Sequence, residues 1–104
     1  MIAAIIKKRR RKHAASAPAG TLLPRISGTL AEGATLTVTN GTWAYIPVSY
    51  TRQWKRDGVN IGSATNATYV LTASDLGTTI TATITATNAN GSASATSAGV
   101  AIPA

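Results

Sequence analysis

The chain has 104 residues, a net charge of +7, two Trp, three Tyr, no Phe and no Cys. That length holds one small domain and a tail, and the missing cysteines exclude a disulfide framework, a thiolate metal site and a cysteine nucleophile. A uniformly basic, nucleic-acid-binding domain is excluded too: Lys7–Lys12 carry six of the ten cations, and residues 21–104 hold Arg25, Arg52, Lys55 and Arg56 against Glu32, Asp57 and Asp75, a balance of +1.

The opening "MIAAII" is apolar, and Lys7, Lys8, Arg9, Arg10, Arg11, Lys12 and His13 follow it. Charges behind a short apolar run reverse the order of a secretory signal. No stretch approaches the roughly 18–20 apolar residues of a membrane span. If the protein leaves a cell, it is expected to do so as part of something larger. "AASAPAG" then reads as an exposed, flexible linker of small residues with Pro and Gly. The expected division is an N-terminal arm and linker over 1–20 and a folded domain over 21–104.

From Leu22 the texture changes to short runs of Thr, Val, Ile and Ala between turn pairs such as Glu32-Gly33, Asn40-Gly41, Asp57-Gly58 and Asn90-Gly91. Such runs predict an all-β chain. "GATLTVTN" places Leu36 and Val38 inward. "SYTRQWKRDG" offers Tyr50, Arg52 and Trp54 on one face and Thr51, Gln53 and Lys55 on the other, then a hairpin turn at Asp57-Gly58. "ATYVLTASDLG" predicts a strand around Tyr69 and Leu71, followed by a turn that Asp75 forms by accepting backbone N–H groups. Thr78–Asn88 alternates most cleanly: Ile80, Ala82, Ile84 and Ala86 fall on one face and Thr79 to Thr87 on the other. Asn90-Gly91 predicts a hairpin because both residues tolerate positive φ, and "GSASATSAGVAI" predicts one final strand ending on Val100 and Ile102. The predicted core is Leu36, Val38, Trp54, Tyr69, Leu71, Ile80 and Ile84.

The segment from Gly41 to Ser97, with "GTW", "SYTRQW", "RDG", "TYVLTASDLG" and "TATNANGSASATS", resembles the bacterial and phage Ig-like modules that carry GTW, QW-x-RDG, TY-x-LT-x-x-D-x-G and TATNA-x-GS in this order. The resemblance covers roughly residues 24–102. It implies an immunoglobulin-like β-sandwich of about seven strands with Greek-key connections, preceded here by an extended N-terminal arm. The sequence departs from the pattern at Arg52, where these modules carry Tyr. It departs again at Thr79, where a Tyr usually follows the D-x-G glycine, and at Ala82, near the second Cys of antibody domains. Arg52 is expected at the end of the sheet, where its guanidinium can reach water; a contact role is the alternative.

Catalysis is not expected: there are three carboxylates and one histidine, and His13 lies in the tail. No cofactor and no metal are expected, since Asp57 and Asp75 are too few oxygen donors for calcium. Asn40, Asn66 and Asn90 begin glycosylation sequons, which are cheap matches in a Thr-rich chain. Trp54 reads as the core tryptophan. Trp43, Tyr45 and Tyr50 read as a candidate surface-binding patch for host cell-surface glycans.

The cationic run is the remaining problem. Six like charges repel one another and need an acidic partner. Nucleic acid would be bound through its phosphates; an anionic membrane would have only six apolar residues to hold; a protein lattice could take the cations in an acidic groove and the apolar run on a sheet edge. In phages, modules of the resembled family decorate capsid and tail proteins. The resemblance thus implies a virion structural protein on the outer surface of the capsid, a capsid decoration protein. Its anchoring residues would be Ile2, Ile5, Ile6, Lys7, Lys8, Arg9, Arg10, Arg11 and Lys12, docked on the major capsid protein or another virion lattice protein. A tail-associated or bacterial surface module and a nucleic-acid tether are the alternatives.

Overall fold

The computed structural model describes residues 16–104; the arm residues and His13 lie outside the described residues. Ten short strands run in chain order: β1 (Ala19–Leu22), β2 (Ile26–Ser27), β3 (Thr35–Val38), β4 (Thr42–Ala44), β5 (Ser49–Arg56), β6 (Val59–Asn60), β7 (Thr68–Val70), β8 (Thr79–Asn88), β9 (Gly91–Thr96) and β10 (Val100–Ala101). Among the described residues there is no α-helix, only one 3-10 turn at Ala73–Asp75. The protein is all-β.

The strands form three antiparallel groups: β1 with β4, β2–β3–β7, and a larger sheet in which β8 is central. β5 lies along one edge of β8, and β9 and β10 lie along the other. The longest register runs from Ser49 opposite Thr87 to Arg56 opposite Ile80. Alternation explains what this buries. Ile80, Ala82, Ile84 and Ala86 are all fully buried, and Trp54, directly opposite Ala82, is fully buried beside them. Leu36 and Val38 of β3 meet them across the core, with Leu71 and Ile102 closing its edges. Small Ala82 makes room for the indole between the two isoleucines. The indole Nε1–H donates to the Asn66 carbonyl at 2.8 Å, so its burial strands no donor.

The outer face of β8 carries its threonines in register with the hydroxyls of β9. Thr83 pairs with Thr96 at 2.8 Å, Thr85 with Ser94 at 2.8 Å and Thr87 with Ser92 at 3.1 Å.

The expected linker is a point of difference. Pro18 is buried and β1 already begins at Ala19. β1 pairs with β4 there, Gly20 lying opposite Trp43. The expected final strand is also divided. Ser97 is buried and interrupts it, its hydroxyl accepting the Ala82 N–H at 3.0 Å while its own N–H donates to the Ala82 carbonyl. The chain then resumes as β10 opposite Thr79 and Ile80. The expected hairpin exists, but its tip lies one residue earlier. Asn88 pairs with Gly91, and the Asn88 side-chain oxygen accepts the Asn90 N–H at 2.8 Å. Asp57 and Gly58, with φ of 49° and 81°, form the two-residue turn between β5 and β6.

Candidate functional site

Asp75 is the one carboxylate buried among the described residues. It is fully buried, and four donors converge on its carboxylate. Arg56 Nε reaches Oδ1 at 2.7 Å, while the Tyr69 hydroxyl, the Thr72 N–H and the Thr72 hydroxyl reach Oδ2 at 2.7, 2.7 and 3.1 Å. Burial pushes its pKa up. The hydrogen bonds from Thr72, Tyr69 and Arg56 outweigh that and hold it below the ordinary carboxylate range. Burial, with Asp75 beside it, raises the Tyr69 hydroxyl in turn, and the bond to Asp75 leads the causes that raise Arg56. Tyr69 is half-buried against the core, with its ring stacked on Trp54 at 5.6 Å between centroids. This is a structural lock, and its carboxylate is fully occupied. Asp57 is occupied as well, accepting the Thr79 N–H at 2.9 Å. Among the described residues no three His, Cys, Asp or Glu side chains gather as a metal site. A groove of about 660 Å³ runs past Leu22, Leu23, Pro24, Ile26 and Val100. Arg25 is its one charged lining residue, so it too offers no acid–base pair.

The three candidate aromatic residues separate. Trp43 packs on the core, and its Nε1–H donates to the Asn40 carbonyl at 2.7 Å. Tyr50 also packs on the core. Tyr45 projects, 44% exposed. Arg52 lies mid-strand on β5, opposite Ile84, rather than at the sheet's end. Its Nη2 donates to Asn40 Oδ1 at 2.9 Å, and its buried Nε has no hydrogen-bond partner among the described residues. Asn40 thus supplies the partner that an inward arginine requires. The remaining predicted core residues, Leu36, Val38, Leu71, Ile80 and Ile84, are buried.

What the structure does gather lies at the end of the molecule where β8 finishes. The loop between β4 and β5 presents Ile46 and Val48, 82% and 78% exposed, beside Tyr45. Its backbone is left-handed at Tyr45 and Ile46, with φ of 63° and 29°. For a β-branched residue such as Ile46 this is an outlier, costing on the order of 1–3 kcal/mol. Two bonds hold it: the Val48 N–H donates to the Thr87 carbonyl at 2.8 Å, and Asn88 Nδ2 donates to the Tyr45 carbonyl at 2.7 Å. The same Asn88 Nδ2 donates to the Ser16 carbonyl at 3.1 Å, with Asn90 Nδ2 at 3.4 Å from that oxygen. One asparagine thus ties the strained apolar loop to the place where the chain enters the fold. Ile46 and Val48 carried no sequence signal beyond lying between a Trp and a strand, because period-two alternation is silent about a loop's direction.

No family model, no curated protein and no solved structure matches the chain.

Proposed function

We propose that this is a virion structural protein of immunoglobulin-like fold, a capsid decoration protein of a phage, anchored by its N-terminal arm to a coat lattice. The observation that carries the reading is the partition of charge about the entry point. Six cations stand at residues 7–12, immediately before Ser16, while residues 21–104 carry +1. A nearly neutral body behind a dense cationic run suits an anchor and a projecting module, each with its own task. The fold supports the module half. Its buried carboxylate, Asp75, is engaged by Arg56, and among the described residues no three His, Cys, Asp or Glu side chains gather as a metal site. The Ig-like part of the reading is supported by Trp54 buried on β5 beside the central strand, by the Asp75 turn before β8, and by the core that the β2–β3–β7 group shares with the larger sheet. The arm supplies the attraction: each Lys or Arg neutralises one acidic group, and the contact weakens as salt rises.

The test is deletion of residues 1–13. Purified phage particles are scored for occupancy by the full chain and by the deletion variant, with folding of the variant confirmed by its thermal transition. Loss of occupancy with an intact transition is expected. Occupancy equal to that of the full chain overturns the anchor. Binding of the full chain to DNA with a steep salt dependence, and none to particles, turns the arm into a nucleic-acid tether.

A further inference from the structure

We infer that the Tyr45–Val48 loop is a second docking contact beside the arm, and that it fits an apolar pocket bordered by carboxylates on the lattice protein. This rests on the proposed anchoring role of the arm and names a further part of the same interface.

Three observations converge on it. The first is unpartnered apolar surface: Ile46 and Val48 stand 82% and 78% exposed on either side of Pro47, with Tyr45 at 44%. The second is how the loop is held. A branched residue sits at φ 29° and its predecessor at 63°, although glycine would take either conformation without cost. The loop is pinned in this shape by Asn88 and Thr87. A costly, pinned conformation that pushes apolar side chains into water is stored strain of the kind that marks recognition sites.

The third observation is placement. Asn88 Nδ2 bonds the Ser16 carbonyl as well as the Tyr45 carbonyl, so Ser16, the first described residue, lies at the same end as the loop. Lys12 is four residues from Ser16, at most about 14 Å of extended chain. A surface that binds the cations therefore lies against this end, and its acidic groups fall around the apolar tip. Charge complementarity selects the partner: carboxylates for the arm, and between them a pocket that takes two aliphatic side chains. Such a pairing of a buried apolar centre with a charged margin is how stable interfaces are built.

The full chain is titrated onto particles assembled without it, as wild type, Ile46→Asp, Val48→Asp, Ile46→Gly and Val59→Asp. Val59 is 69% exposed beside the Asp57-Gly58 turn, at the opposite end of β5. Burial of one such aliphatic side chain corresponds to about ten- to hundred-fold in affinity. Losses of that size for Ile46→Asp and Val48→Asp, with Val59→Asp unchanged, are expected. Ile46→Gly is the decisive variant, because it removes the strain and the side chain together: its thermal midpoint rises while its affinity falls. Wild-type affinity of Ile46→Asp and Ile46→Gly overturns the loop contact and leaves the arm intact. Failure of the wild-type chain to bind at all overturns the anchoring role itself. A parallel titration uses phosphatidylserine–phosphatidylcholine vesicles. Vesicle binding that Ile46→Asp abolishes, with particle binding unchanged, overturns the protein pocket in favour of a lipid surface.

Discussion

Replacing Asp75 with alanine tests the lock under the core. The substitution removes the acceptor for Arg56, Tyr69 and Thr72 at once. Arg56 is 31% exposed and turns to water, so its ion pair counts for little. The Thr72 N–H and Tyr69 hydroxyl do not recover as easily. A buried donor left unpaired costs about 1–3 kcal/mol, and more when its lost acceptor was charged. The expected loss is about 2–6 kcal/mol, from two donors left unpaired at about 1–3 kcal/mol each. Residues 16–104 span 89 positions, which at about 0.05–0.15 kcal/mol per residue gives a total stability of about 4–13 kcal/mol. The variant therefore sits near the edge of folding. Urea unfolding followed by tryptophan fluorescence reads this directly, since Trp54 stacks on Tyr69. With a slope near 1 kcal/mol/M, the midpoint falls by about 2–6 M or the transition vanishes. Tyr69→Phe, which keeps the stacking and deletes the bonds to Asp75 and from Arg56, should lose about 1–2 kcal/mol. An Asp75→Ala midpoint within about 1 M of wild type, at unchanged slope, refutes the assignment.

Acid unfolding follows from the same carboxylate. Asp75 has a folded pKa below its unfolded one, so its stabilisation is present above the unfolded value of about 3.9 and is lost as pH falls through the folded value. Melting temperature should drop below about pH 4 in the wild type, and Tyr69→Phe should begin to drop at higher pH, a shift that thermal scans across pH measure. Ser97→Ala leaves the Ala82 N–H buried without its hydroxyl partner; a loss of about 1–3 kcal/mol is expected by chemical denaturation, and a neutral result means the backbone re-pairs. At Gly41, φ is 75° and a Cβ would collide with the Leu22 carbonyl oxygen. Gly41→Ala should therefore separate β1 from β4, read as faster hydrogen exchange at Thr42–Ala44 with β8 still protected.

Much of the framework was legible because it is local. The isoleucine–alanine alternation of β8, the inward Leu36 and Val38, the Trp54 anchor and the Asp75 turn are each written within a few residues. Arg52 was harder: its inward direction followed from the strand's period, but its partner Asn40 lies 12 positions away in another loop. Pro18 looked like linker because the small residues around it carry no strand period, yet it is buried. The division between β9 and β10 turns on a single serine whose hydroxyl replaces a backbone partner. Of the candidate site, Tyr45 was identified while Ile46 and Val48 were not. Their exposure is set by the positive φ that Asn88 holds from across the molecule.

The paired hydroxyls on the outside of β8 and β9 have a consequence for crowding. Each hydroxyl pair there ties one O–H to its neighbour, and β8 and β9 contain no charged residue. Identical bodies can stand shoulder to shoulder along this wall at high surface density without pushing one another apart. Ionic strength should therefore govern whether the molecule is held at its foot, and leave untouched how closely its neighbours stand.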